Sequence, residues 1–222
     1  MEHKFSLFDS PLLSNFSKIS TTEDADLRKV FDGSLVNDAP AIAVTLVMDH
    51  DTQPGQTVEI KIEGFFKPLA YALILLRAEG YPQLFYGDLY SMKKSYELPA
   101  CGGNLPNLTL ARKLYAFGEQ HDYFDEPNCF GFVRKGTWAK PACLACVMSN
   151  AGIAEKKMAV GELHAGEIWT DILGFEKREV WIDGEGYGLF LCPGTSVSVY
   201  VRRDADGRDR FGKFDVDIYG KA

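Results

Sequence analysis

Residues 41–56 read AIAVTLVMDHDTQPGQ. The first seven, Ala41–Val47, are continuously apolar or β-branched. A run with no polar face suits a parallel strand covered on both sides. It ends in a polar loop, Asp49–Gln56, that opens with three ionisable residues, Asp49, His50 and Asp51.

Working outward, the flanking segments alternate in period. Upstream, Phe5–Phe8 reads as a short buried strand ended by Asp9 and Pro11. Thr21–Thr22–Glu23 then offers a helix start, and Ala25–Phe31 carries a helical pattern stopped at Gly33. Downstream, Glu59–Ala78 reads as helical, with Pro68 breaking or kinking it. Gln83–Tyr86 reads as a third strand, and Leu105–Phe117 as a helix ended by Gly118. These are three strand–helix units, which implies parallel strands joined by right-handed crossovers.

After Asp122 the pattern changes. Phe130–Arg134, Ala142–Ser149, Lys157–Val160, Ile168–Asp171, Glu179–Ile182, Gly188–Cys192 and Ser196–Val201 read as short strands between Gly, Asn, Asp and Pro turns. Closely spaced short strands predict an antiparallel sandwich. The expected division is therefore 1–121 for the strand–helix part, 122–201 for the sandwich and 202–222 for a charged tail. In that tail Phe214, Val216 and Ile218 alternate as one further edge strand would.

The formal charge is −7. Lys93–Lys94 and Arg202–Arg203 are isolated pairs, so the clustered cations needed to displace counterions from phosphates are missing. Nucleic acid and anionic membranes are poor partners on that ground. No apolar stretch has the length of a membrane span, and the N-terminus shows no signal-peptide apolar region. Five scattered cysteines, an odd number, suggest reduced thiols. A cytoplasmic location is expected from them.

Several stretches in order carry a resemblance. Val44–Gln56 (VTLVMDHDTQPGQ) resembles the strand-end motif of the α-amylase family of glycoside hydrolases, in its bacterial liquefying-type and fungal intracellular branch. So do Phe66–Leu76 (FKPLAYALILL), Gly80–Asp88 (GYPQLFYGD), Ala111–Asp125 (ARKLYAFGEQHDYFD), Val160–Ile172 (VGELHAGEIWTDI) and Ser196–Val201 (SVSVYV). The resemblance implies an incomplete (β/α)8 barrel, its last three strand–helix units, followed by an antiparallel Greek-key β-sandwich. It also implies an α-glucan such as starch or glycogen as the partner.

Retaining glycoside hydrolysis needs two carboxyl groups about 5–5.5 Å apart across the scissile bond. In this family they come from the fourth and fifth barrel strands, and no residue of this chain matches either. The third family carboxylate matches Asp51, which the resemblance makes the transition-state stabiliser. His50 would hydrogen-bond the same sugar and Gln53 would line the cleft. Taken alone, His-Asp more often merely caps a loop. Two positions depart from the branch: Asp49 stands where Asn is usual, and Ser91 where Gly is usual. A carboxylate at Asp49 is expected to disfavour ionisation of both Asp49 and Asp51. The family implies calcium, but its main ligands lie outside this chain and none is assigned here.

The other signals have bland readings. Cys143 and Cys146 have CxxC spacing, yet on a strand they point to opposite faces, which favours core packing. Gly184–Gly188 reads as a hairpin rather than a phosphate cradle. His121 and His164 read as structural. Three parallel strands cannot close a barrel, so the barrel-facing sides of FSLF and AIAVTLV are expected to be exposed and to favour association through the open edge. We read the chain as a piece of an α-amylase, inactive alone; the alternative is a non-catalytic glucan-binding or partner-binding protein derived from an amylase.

Overall fold

The computed structural model describes residues 5–90 and 100–214. Ser91, Val216 and Ile218, on which expectations were placed, lie outside the described residues.

The first half is a three-stranded parallel sheet with helical crossovers. β1 (Leu7–Phe8), β2 (Ala43–Thr45) and β3 (Tyr81–Pro82) lie side by side in chain order. Leu7 is opposite Ala43, and Val44 opposite Tyr81. The third strand falls two residues before the expected Gln83–Tyr86, because Tyr86 opens a short helix, α4 (Tyr86–Tyr90).

Two helices differ from expectation for one reason. α1 spans Ser10–Thr21, where Asp9 and Pro11 had read as a stop. Asp9 is instead its N-cap, accepting from the Leu12 amide at 3.0 Å, and Pro11 lies in the first turn, where no amide donor is required. The Ala25–Phe31 pattern yields only a 3-10 turn, Leu27–Lys29, before α2 (Leu35–Asp38). Likewise Pro68 does not kink a long helix. It sits in the first turn of α3 (Lys67–Leu76), and residues 59–66 stay outside the helix.

Every residue of α3 from Leu69 to Leu76 is buried. A helix apolar all round must be covered all round. This one has β3 on one side and the sandwich on another, and α5 (Leu105–Tyr115) packs beside it. The last two carbonyls of α3 receive arginines: Arg112 Nη1 donates to Leu75 at 2.5 Å and Arg134 Nη1 to Leu76 at 2.8 Å. Cations at a helix C-terminus satisfy orphan carbonyls and oppose the macrodipole.

The second half is antiparallel. β4 (Gln120–Tyr123), β5 (Cys129–Arg134), β6 (Leu144–Ser149), β8 (Ile168–Asp171), β9 (Val180–Trp181) and β11 (Ser196–Arg202) form one sheet in the order β4-β5-β6-β11-β8-β9. β7 (Ala154–Ala159) and β10 (Tyr187–Cys192) pair as a second layer. All seven expected strands are present, with β4 added where a boundary had been expected.

Period-two alternation divides the side chains of the large sheet between two cores. Phe130, Phe132, Leu144, Cys146, Met148, Val197, Val199 and Val201 join the core that contains α3. Val133, Cys143, Ala145, Val147 and Tyr200 join Trp169 and Phe190 beneath the β7–β10 layer. Cys143 and Cys146 therefore fall in different cores, as the strand geometry required. Residues 183–187 form a tight turn, closed by the Asp183 amide on the Tyr187 carbonyl at 2.8 Å, but the flanking β9 and β10 pair with β8 and β7 rather than with each other, so the turn joins the two layers instead of closing the expected hairpin.

Burial in the parallel layer is uneven. Ala43, Leu46 and Val47 are buried, against the expectation that the AIAVTLV face would stand open. The first strand does stand open: Phe5, Leu7 and Phe8 are exposed, so it is not the buried strand its sequence suggested. Across the sheet Phe8, Val44 and Tyr81 are in register on one face, and Tyr81 is 75% exposed. Among the described residues no helix is long and apolar enough to cross a membrane.

Candidate active site

The C-terminal ends of the three parallel strands feed Asp9, the 48–56 loop and the 83–88 segment. In α/β sheets and barrels, ligand groups gather at this end.

Asp9 organises the first of these. It is fully buried. Beyond capping α1, its carboxylate accepts from the Leu35 amide at 3.0 Å and the Val36 amide at 2.7 Å. One side chain thus holds the start of α2 as well, and with it the approach to β2.

Asp49 organises the second. Its Oδ1 accepts from the Asp51 amide at 3.0 Å, the Thr52 amide at 2.9 Å and the Thr52 hydroxyl at 2.9 Å. Thr52 Oγ1 in turn accepts from the Asp49 amide at 3.0 Å. Partial burial pushes the Asp49 carboxyl upward, but these hydrogen bonds and the nearby His50 outweigh it and hold the group below its ordinary value. The expected mutual penalty with Asp51 is therefore not what governs Asp49. Its charge is anchored inward, on the turn.

Asp51 and His50 point outward. Their side chains are 67% and 82% exposed, and His50 Nε2 lies 3.4 Å from Asp51 Oδ1. Gln53 turns back, its Nε2 donating to the His50 carbonyl at 3.0 Å. The loop thus brings Asp51 and His50 together at the surface, with Gln53 bracing the backbone between them. Gly55 closes the loop in the left-handed region, at φ +83°, and its amide donates to Glu59 Oε2 at 2.8 Å.

A third group went unseen in the sequence. Asp88 is buried against α3, with Lys67 Nζ at 2.6 Å from Oδ1 and Tyr71 Oη donating to Oδ2 at 2.6 Å. Lys67 also lies 3.7 Å from Met48 Sδ, one residue before Asp49. Burial, then the Asp88 charge, pushes the Tyr71 phenol well up, so it stays a donor. The available signal was a lone Asp closing the apolar stretch GYPQLFYGD.

Calcium needs six to eight oxygen ligands, usually with several carboxylates. Among the described residues no three His, Cys, Asp or Glu side chains come together to hold a metal. These residues do not fit a carboxylate calcium site.

No family model matches the chain. Over 202 residues it is 44% identical to the α-amylase of Bacillus licheniformis, a match covering 89% of this chain and 40% of that protein. Over 213 residues it is 44% identical to the cytoplasmic α-amylase of Escherichia coli (strain K12), covering 90% of this chain and 42% of that one. A solved Anoxybacillus α-amylase superposes with a TM-score of 0.64 at 15% identity, over 89% of this chain and 47% of the other; this likeness concerns the fold. The chain spans about two fifths of the length of the curated relatives it matches.

Proposed function

The chain belongs to the α-amylase family of glycoside hydrolases, and on that premise we propose that it serves the retaining hydrolysis of internal α-1,4 bonds in starch, glycogen or a related glucan. The observation that carries this reading is Asp51, exposed beside His50 on a loop held rigid by Asp49 at the C-terminal end of β2. In this reading β1, β2 and β3 are three staves of a (β/α)8 barrel, with the Greek-key sandwich behind them.

Asp51 acts as the third carboxylate. It accepts sugar hydroxyls and opposes the positive charge that develops on the ring carbon and oxygen as the glycosidic bond breaks. His50 donates to the same sugar. Preorganisation comes from Asp49: with the turn fixed, Asp51 needs no backbone ordering when sugar arrives. Nothing in these 222 residues matches the nucleophile or the general acid. A polypeptide of these residues alone binds without turnover.

Two measurements test this. Titration of the chain with maltoheptaose, followed by amide NMR, should shift the signals of residues 49–53, and Asp51→Ala should abolish the shifts. A reducing-sugar assay on soluble starch should show no turnover above the same variant. Unperturbed 49–53 signals would sink the Asp51 reading, and turnover would sink the inactivity.

The second reading, a non-catalytic glucan-binding protein, is motivated by the two family carboxylates that no residue of this sequence matches. It predicts the same binding. It separates from the first if turnover stays absent when the rest of a barrel is supplied on the same polypeptide. We place the protein in the cytoplasm, supported by five free, buried thiols and by the Escherichia coli relative.

A further inference from the structure

A second candidate site lies on the sandwich, remote in sequence from Asp51. A cavity of about 380 Å³ opens between the 137–141 turn, the 162–167 turn, the end of β11 and the end of α5. That volume is in the range of small-ligand pockets.

Its polar wall is built rather than incidental. Glu167 Oε2 takes His164 Nδ1 at 2.9 Å and the Trp169 indole N–H at 2.9 Å. Trp169 is fully buried, so the carboxylate is mounted on the core. Glu167 Oε1 faces Arg202 Nη1 at 3.5 Å, and Arg202 Nε is held by Asp204 at 2.7 Å. An acceptor and a donor therefore stand side by side on a partly exposed wall. Two neighbouring ring hydroxyls satisfy such a pair, because each hydroxyl both donates and accepts.

An exposed aromatic side chain stands next in sequence to the cavity wall. Trp138 is 99% exposed at the tip of the turn whose next residues, Ala139, Lys140 and Pro141, wall the cavity. The turn is stiff. The Thr137 amide donates to the Lys140 carbonyl at 2.7 Å, the Lys140 amide returns to the Thr137 carbonyl at 3.1 Å, and Gly136 seats against Gly118 beneath. An indole left wholly in water on a braced turn is a face available to stack on a flat apolar surface. The C–H faces of a pyranose ring supply one, and its hydroxyl edge supplies the polar pair.

We infer that Trp138, Glu167 and Arg202 form a second α-glucan-binding site, separate from Asp51, that holds a length of chain on the sandwich. The inference rests on the α-glucan reading above for its ligand class.

The test is affinity electrophoresis of the 222-residue chain through gels containing soluble amylose. The unaltered chain should be retarded. Trp138→Ala should weaken retardation about tenfold, the effect of losing one stacked aromatic face. Glu167→Gln should weaken it too, and Asp51→Asn should leave a clear retardation. Trp138→Ala removes only solvent-exposed atoms, so an unchanged melting temperature certifies its fold. If Trp138→Ala migrates like the unaltered chain, or if only Asp51→Asn abolishes retardation, the sandwich site is overturned while the α-glucan reading stands. If the unaltered chain is not retarded, the sandwich site is overturned, and the maltoheptaose shifts at residues 49–53 decide the Asp51 reading independently.

Discussion

Replacing Asp9 by Ala removes the acceptor for three backbone amides at once: Leu12, Leu35 and Val36. The side chain is fully buried, so water does not readily take its place. Loss of the α1 cap costs about 0.5–2 kcal/mol. Each of the other two donors, left without a partner, costs about 1–3 kcal/mol. The sum centres on roughly 5 kcal/mol, a large share of the ~5–15 kcal/mol that holds a typical domain folded. Urea unfolding should show it as a lowered midpoint. Two probes are available: helix ellipticity reports the α1–α3 layer, and tryptophan fluorescence reports the sandwich, which holds Trp138, Trp169 and Trp181. Asp9→Asn keeps an oxygen for Leu12 and Leu35 but turns an amide toward the Val36 N–H, so its cost should be about 1–3 kcal/mol. Asp9→Ala within about 1 kcal/mol of the parent, a margin typical of surface changes, would refute the reasoning. So would an Asn variant as damaged as the Ala variant.

Two further outcomes follow from the loop and its support. Because the Asp49 carboxyl is held below its ordinary value when folded, the stability it lends is present above the unfolded value of about 3.9 and is lost as pH falls through the lower folded value. The Thr52 amide resonance should report that titration with a midpoint below about 3.9, and a midpoint at or above it would count against the anchored turn. Asp88→Ala strands the Lys67 ammonium and should cost about 3–5 kcal/mol, with Lys67→Met in the same chain recovering part of the loss; strictly additive effects in a double-mutant cycle would show that the pair is not coupled.

The sandwich was the most legible part of the sequence. Its strands are short, and the turn residues between them are strong punctuation. In β6 both faces are almost wholly apolar because both are covered, and in β11 Val alternates with Ser and Tyr, so both runs read clearly as strands. The parallel layer was less legible at its element ends. Asp9-Ser10-Pro11 serves equally as a stop and as a helix start, and only the Leu12 amide at 3.0 Å decides between them. Asp51 and His50 were visible as a motif. The inward role of Asp49 was not, because it depends on where one carboxylate oxygen points. The Lys67–Asp88–Tyr71 cluster joins side chains of α3 to one of α4, 21 positions on, and exists only once the two have folded together.

The seam at α3 bears on how this protein is cut for experiments. Strands 129–202 look self-sufficient on paper, yet Phe130, Phe132, Leu144, Met148 and Val199 turn their rings and branches toward the helix rather than toward the opposite layer. Excising the sandwich at Asp122 would lay that whole side bare to water and take away the carbonyls that Arg134 grips. A soluble sandwich clone should therefore begin upstream of Lys67, carrying its helical roof with it.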